Sequence, residues 1–347
     1  MQIPIGWCAD HFNLRWLYAA AFALWSLAQG LAGLAGSLAV LIGFRILLGV
    51  GESIYLPGGT KIISLLFTGR DRGLPSGLFD FGTRTGLVLE GILVPWLLVR
   101  YGWRHTFLLV GLAALAWIVP WLWVFPRRLP SANLALSSRP SGSSSTIRWS
   151  GFLNCNLVGI CLGFFCFDYY WYVLVTWLPD YLMTIRHLSI VQAGFYASIA
   201  YFTFGVAEPL GGWIADSLIR RGWDETWTRK GIVTCAFFMG LLLIAAMRVS
   251  DIRVVVGLLL GASLVGLATG NLLAILQSCA PFARIGIWTG AENFAGNLAG
   301  IIAPLAVGSL IKRSGSYAPG FELGSIILLV GVLPYWLLVG ELKPRSS

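Results

Sequence analysis

The sequence predicts an all-α protein that crosses a membrane many times. Of its 347 residues, 57% are apolar and only 11% are charged, less than half the roughly 25% charged residues of a soluble domain. Mean hydropathy is +0.78, which together with 16 Trp and 20 Phe excludes disorder, collagen and a coiled coil. The apolar residues fall in blocks of about 20, the length with which a helix crosses about 30 Å of hydrocarbon.

Ten segments meet that length: Trp16–Ser37, Leu38–Tyr55, Ser76–Val99, His105–Phe125, Gly151–Leu182, Val191–Ala215, Gly231–Met247, Val254–Cys279, Ile285–Ile311 and Leu323–Val339. Gly and Pro inside them are compatible with membrane helices. One set of alternate loops and ends carries 15 Lys and Arg and the other carries 7, with Arg45 and Arg84 inside spans. That bias puts both termini in the cytoplasm. It also accounts for the net charge of +9 without a nucleic-acid partner. The polar stretch 127–150 contains SSRPSGSSS and reads as a flexible cytoplasmic linker. It divides the chain into an N-terminal helical bundle, residues 1–126, and a C-terminal six-helix bundle, residues 151–347.

Six cysteines without C-x-x-C spacing read as small apolar residues rather than disulfides or metal ligands. Three scattered histidines give no metal spacing and no nucleophile–base set. No glycine motif follows a predicted strand, so no nucleotide loop is supported. An enzyme is therefore not expected, nor a cofactor.

The halves contain a repeat. Gly6-Trp7-Cys8-Ala9-Asp10 returns as Gly212-Trp213-Ile214-Ala215-Asp216. About two spans precede the second copy within its half, whereas five residues precede the first. Equivalent halves would mean that the chain lacks its first span and most of its second. The other reading, a signal peptide with Leu17–Leu34 as its core, fails on an overlong core without a clear cleavage site.

Gly6-x-x-x-Asp10-His11-x-Asn13-x-Arg15 resembles the loop signature between helices two and three of major facilitator superfamily transporters. Gly212-x-x-x-Asp216 with Arg220-Arg221-Gly222 is its partial echo, and Arg45-Ile-Leu-Leu-Gly49-Val-Gly51 resembles the R-x-x-x-G-x-G of helix four. Four further stretches are similar to the anion:cation symporter family, which includes sugar-acid permeases, sialin and vesicular glutamate transporters. They are Arg45-x6-Glu52 with Tyr55-Leu56-Pro57, Phe67-Thr-Gly-Arg-Asp-Arg-Gly73, Thr176-Trp-Leu-Pro-Asp-Tyr-Leu182, and Glu292-Asn293-Phe-Ala-Gly-Asn297-Leu-Ala-Gly300.

The resemblance implies the major facilitator fold with about ten of its twelve helices present. It implies a monomer in the lipid bilayer that imports a small carboxylate, with protons in preference to sodium, by rocking of two bundles about a central site. A drug or metabolite exporter is the rival within the superfamily, but Gly82-x-x-x-Gly86 is followed by Leu87 rather than the proline of the exporter motif. A truncated product that does not transport is a third reading. A missing first helix would remove part of the cavity, where the family often places a substrate-binding arginine.

Charges at mid-bilayer cost at least about 2.5–3.5 kcal/mol each, so those inside the spans need a use or a partner. Arg45 and Glu52, seven residues apart, share a helix face and stand about 10 Å apart, too far for a direct salt bridge. The resemblance assigns proton coupling to Glu52 and the linked polar network to Arg45, whose cation suits a carboxylate substrate. In the structural alternative Arg45 ties down carbonyls and Glu52 caps a kink at Pro57. Asp80 and Arg84 have i,i+4 spacing for an internal ion pair, Glu90 has no obvious partner, and Glu208 beside Pro209 reads as structural.

Asp168 and Glu292 stand where the family more often carries amides, which makes the cavity more negative than an anion carrier usually has. Tyr169 and Tyr172 share a face near Asp168 and are candidate substrate contacts. So are Arg45, Glu292, Asn293 and Asn297; an interfacial aromatic belt and inter-helix hydrogen bonds are the structural alternatives. Asp10, Arg15, Asp216 and Arg220 read as conformational latches acting on helix ends and neighbouring loops.

Overall fold

The computed structural model of the chain describes residues 1–126 and 154–342. The 127–150 linker, with its four arginines, lies outside the described residues. So do residues 151–153 of the fifth expected span, and Lys343 and Arg345.

The helices are α1 (Gln2–His11), α2 (Leu14–Leu31), α3 (Leu38–Glu52), α4 (Tyr55–Leu66), α5 (Gly73–Ala114) and α6 (Ile118–Val124), then α7 (Cys155–Thr184), α8 (Ile190–Arg220), α9 (Glu225–Met239) and α10 (Leu242–Arg248). They continue with α11 (Ile252–Ser263), α12 (Thr269–Cys279), α13 (Ile285–Ser314), α14 (Ala318–Val330) and α15 (Val332–Leu337). No strand occurs among the described residues.

Nine stretches among the described residues are long and apolar enough to cross a membrane. The expected span Ser76–Val99 is not separately among them, because Asp80, Arg84 and Glu90 charge its window. It is helical all the same, forming most of the first part of α5. Gly102 then breaks α5 with φ 72°, a left-handed conformation that only glycine adopts without strain, and so separates Ser76–Val99 from His105–Phe125.

Several helices start earlier than hydropathy suggests because a polar residue caps them. The side chains of Asn13, Ser189, Asp224 and Asp251 accept from backbone N–H groups at the starts of α2, α8, α9 and α11, satisfying donors the helix leaves open. At Ser189 the cap is reciprocal, with Gln192 answering it. A cap at Asp224 thus draws Glu225, Arg229 and Lys230 into α9, six residues ahead of the expected Gly231.

The chain divides into two compact units. The first holds Met1–Phe67, the described part of Leu89–Thr146, and Pro281–Ala291. Its core is Ala9, Leu14, Tyr18 and Ile54, flanked by Ile5, Leu17, Trp25, Leu65 and Trp121. Trp121 packs against Tyr18 at 4.9 Å and stacks on Trp117 at 5.1 Å between ring centres. Gly30 of α2 and Gly111 of α5 meet backbone to backbone, so a Cβ on Gly111 would collide with Gly30. Small residues permit that approach where hydrophobic driving force between helices is absent. Along α3, Leu38, Ile42, Ile46 and Leu47 are exposed.

The second unit holds Thr68–Val88, the described part of Ile147–Ala280, and the described part of Glu292–Ser347. Its core is aromatic: Phe167, Tyr170, Phe204, Phe237, Phe321 and Tyr335 are essentially inaccessible, and Phe167 stacks on Phe237 with ring centres 6.1 Å apart. Gly211 and Gly266 bring the backbone of α8 and that of residues 264–268 together, each touching a carbonyl across the interface.

The close approach at Gly111 makes a testable contrast with Gly82, where a Cβ would meet nothing within 4 Å. Gly111→Leu should abolish the monodisperse peak of detergent-solubilised protein in size-exclusion chromatography, while Gly82→Leu should retain it. Equal behaviour of the two would contradict the packing described here.

Candidate functional site

The two copies of the repeated motif do the same physical thing. In the first unit Asp10 ends α1 with a fully buried carboxylate. Its Oδ1 accepts from the N–H of Gly286 and its Oδ2 from that of Ile287, both at 2.9 Å, in the first turn of α13. Lys61 of α4 completes the site at 2.9 Å from Oδ1 and donates to the Phe282 carbonyl at 2.5 Å. In the second unit Asp216 of α8 accepts from Gly73 N–H at 3.1 Å and Leu74 N–H at 2.8 Å, the start of α5. Arg229 of α9 supplies the cation, 3.0 Å from Oδ1.

A carboxylate at a helix N-terminus meets open N–H donors and the positive end of the helix dipole. The motif glycines make room for it. A Cβ on Gly6 would strike the Gly286 carbonyl, and one on Gly212 would strike that of Gly73. Sequence spacing identified both aspartates but neither cation. Arg229 is 0% exposed and also bonds Glu225 at 3.1 Å, Asn271 at 3.3 Å and the Gly69 carbonyl at 3.0 Å.

The other two expected latch residues sit differently. Arg15 donates to the Leu122 carbonyl at the end of α6, and Trp121 Nε1 returns a bond to the Arg15 carbonyl at 2.9 Å. Arg220 pairs with Asp71 at 2.9 Å, half exposed on both sides.

A second charge network is buried in the second unit. Arg84 donates through Nε to Glu208 at 2.9 Å and through Nη2 to Asp80 at 3.1 Å. The guanidinium also lies 3.8 Å from the Trp171 ring centre and 5.1 Å from that of Phe204, a cation–π arrangement. Thr269 donates to Glu208 at 3.4 Å. The i,i+4 pair read from sequence is therefore present. Glu208, read as structural from its place beside Pro209, is a partner of the same arginine. Asp168 stands within electrostatic range of Arg84 and Asp80, and its carboxylate rests on the bare Cα side of Gly296 in α13.

Glu292, also on α13, is fully buried and neither of its oxygens has a hydrogen-bond partner among the described residues. Tyr169 is buried with a hydroxyl that has no partner among the described residues, whereas Tyr172 is half-buried with its ring against Gly300. The two tyrosines are thus three residues apart on α7 but in different surroundings. Asn297 is exposed and donates to the Asn293 carbonyl at 2.7 Å and to its side-chain oxygen at 3.2 Å, so these amides bond within α13 rather than to another helix.

In the first unit Arg45 and Glu52 are both exposed side chains of α3. Arg45 donates to Gln29 of α2 at 3.3 Å and lies 5.1 Å from the Phe107 ring centre. Glu52 is within range of the Arg45 charge but not in salt-bridge contact with it, as seven-residue spacing dictates. The chain turns between Glu52 and Tyr55, and no Glu52 hydrogen bond caps that turn among the described residues. No carbonyl accepts from Arg45 among the described residues.

No group of three or more His, Cys, Asp or Glu among the described residues could hold a metal ion. Long apolar helices, a repeated aspartate motif seated on helix N-termini, and ionisable groups buried in the spans define a polytopic membrane carrier. Residues 1–304 match the family profile described as Major Facilitator Superfamily. The chain belongs to that superfamily.

It is similar to the D-galactonate transporter of Escherichia coli O6:H1, with 28% identity covering 99% of this chain and 84% of the relative. It is also similar to the Bacillus subtilis (strain 168) protein named "Probable galactarate/D-glucarate transporter GudP", with 27% identity covering 99% of this chain and 81% of that one. Its relatives are named as transporters, not enzymes. Among solved structures, the E. coli fucose:proton symporter FucP superposes with a TM-score of 0.75 at 13% identity, covering 98% of this chain and 87% of FucP. The human organic anion transporter MFSD10 gives 0.73 at 16%, covering 95% and 79%. These superpositions show the fold, with helices sufficient for about ten of the twelve.

The two aspartate-centred ion pairs differ from the Arg220 pair in burial, and stability should follow. Asp216→Asn leaves Arg229 buried with less charge opposite it and should cost about 3–5 kcal/mol, as breaking a buried pair does. Arg220→Ala should cost less than about 1 kcal/mol, as exposed pairs do. Thermal unfolding of the detergent-solubilised protein measures both; equal shifts would contradict the assignment of burial.

Proposed function

We propose that the chain imports a sugar acid, or a similar small carboxylate, together with protons by alternating access. The observation that carries this reading is the pair of ionisable side chains on one accessible face of α3. Arg45 supplies a cation for a carboxylate, and Glu52 supplies a carboxyl that can take up and release a proton. Supporting it, the D-galactonate and galactarate/D-glucarate relatives align with 99% of the chain, and FucP, a neighbour by fold, is named as a proton symporter.

On this reading Arg45, Tyr169, Tyr172, Glu292, Asn293 and Asn297 contribute to substrate recognition. Arg45 and Asn297 offer accessible donors, and Tyr169 and Tyr172 give aromatic surface of the kind a sugar ring contacts. Asp10, Arg15, Asp216 and Arg220 set the balance between inward- and outward-open states without touching substrate, since their partners are backbone groups and other protein charges. Residues 1–126 and 151–347 act as the two rocking bundles, joined by the 127–150 linker. The protein works as a monomer in the plasma membrane with both termini in the cytoplasm, as the cation bias of its loops supports.

Uptake by proteoliposomes across uronates, aldonates and aldarates tests the substrate class; no accumulation of any of them would overturn it. Glu52→Gln should abolish uptake driven by a proton gradient while leaving counterflow exchange, and persistent driven uptake would refute the coupling role. Asp10→Asn should slow transport several-fold without altering the order of preference among substrates, whereas a changed order would place Asp10 in recognition.

A further inference from the structure

The second unit buries more acid than it neutralises. Arg84 is committed to Glu208 and Asp80, and no other cation makes an ion pair with Asp168 or Glu292 among the described residues. Both acids belong to the interface of α7 and α13. Asp168 rests on Gly296, one turn beyond Glu292 on the same helix face, so the two carboxyls are neighbours along that interface. Glu292 is 0% exposed with both oxygens unpartnered.

An independent feature points to the same spot. Tyr335 of α15 is 1% exposed, its hydroxyl has no partner among the described residues, and its ring lies on Gly163 of α7. Tyr335 is within electrostatic range of Glu292, Asp168, Cys161 and Cys166. The ionisable groups facing the two acids are therefore Tyr335, Cys161 and Cys166, with Arg84 and Asp80 on the Asp168 side. None of those facing Glu292 is a cation. An ionised carboxylate enclosed without a donor or counter-charge is strongly disfavoured, whereas the neutral acid is tolerated.

We propose that Glu292 and Asp168 together bind a proton, forming a titratable pair within the second unit that is separate from Glu52 and adds one proton to each transport cycle. The carboxyl proton sits on Glu292, and Asp168, packed from α7 against the adjacent turn of α13, receives or returns it when the interface is wetted. The contribution to the cycle rests on the proton-coupled reading above; the proton binding itself does not.

Two measurements separate these claims. Infrared difference spectra of the purified full chain in lipid nanodiscs, in H2O against D2O at neutral pH, report protonated carboxyls directly. Wild type should show a carboxylic-acid C=O band that Glu292→Gln removes, Asp168→Asn shifts and Glu52→Gln leaves in place. Glutamine mimics the neutral acid, so the variant should fold; should it not, the shift in Asp168→Asn decides. A band absent from wild type, or unchanged in both variants, would overturn the proposal. In proteoliposomes, the proton-to-substrate ratio from reversal potentials should fall by one in Asp168→Asn, and an unchanged ratio would remove the pair from the cycle. Failure of all sugar-acid uptake would sink the transport reading while leaving the infrared result standing.

Discussion

The cost of an isolated charge in hydrocarbon governs where this sequence places its acids and bases. Apolar side chains are replaceable in such a protein, because lipid tails offer them much the same surroundings as the interior does. Ionisable groups are not, since each needs a counter-charge, a set of donors, access to water or a bound proton. Asp10, Asp216 and Arg229 are fully paired with charges and backbone groups. Arg84 satisfies two acids and covers aromatic faces. Arg45 and Glu52 remain accessible on α3. Glu292 has no counter-charge and no donor among the described residues, which sets it apart from Asp10, Asp216 and Glu208.

Much of this arrangement was legible in the sequence where the information is local. Apolar blocks gave the spans, and a 206-residue offset gave the repeated aspartate motif. The i,i+4 spacing of Asp80 and Arg84 gave their ion pair, and the seven-residue spacing of Arg45 and Glu52 gave their shared face without contact. Superfamily membership followed from short motifs distributed over nearly the whole chain.

What escaped the sequence depends on contacts between distant segments. Lys61 and Arg229 looked like ordinary loop cations, and only folding brings them to Asp10 and Asp216. Glu208 is 124 residues from Arg84, so no spacing rule connects them. The fifth helix also shows how composition and conformation separate. Its charges dilute the hydropathy of Ser76–Val99, yet the backbone is helical from Gly73 to the break at Gly102, with Arg84 neutralising Asp80 within it. Conversely, Asn293 and Asn297 read as substrate contacts with inter-helix hydrogen bonding as the alternative, and Asn297 instead donates to Asn293 on its own helix.

The seating of Asp10 and Asp216 on main-chain donors has a consequence for how these junctions vary. Each aspartate reads the backbone of the receiving helix and hardly any of its side chains. Positions 74 and 287 can therefore drift among amino acids with little effect on the grip, proline excepted, because proline deletes the donor itself. Positions 73 and 286 are different, for a side chain there would crowd the carboxylate. The packing constraint at these two junctions is thus lopsided: strict on the aspartate, its cation and one glycine, and lax on the residue beside it.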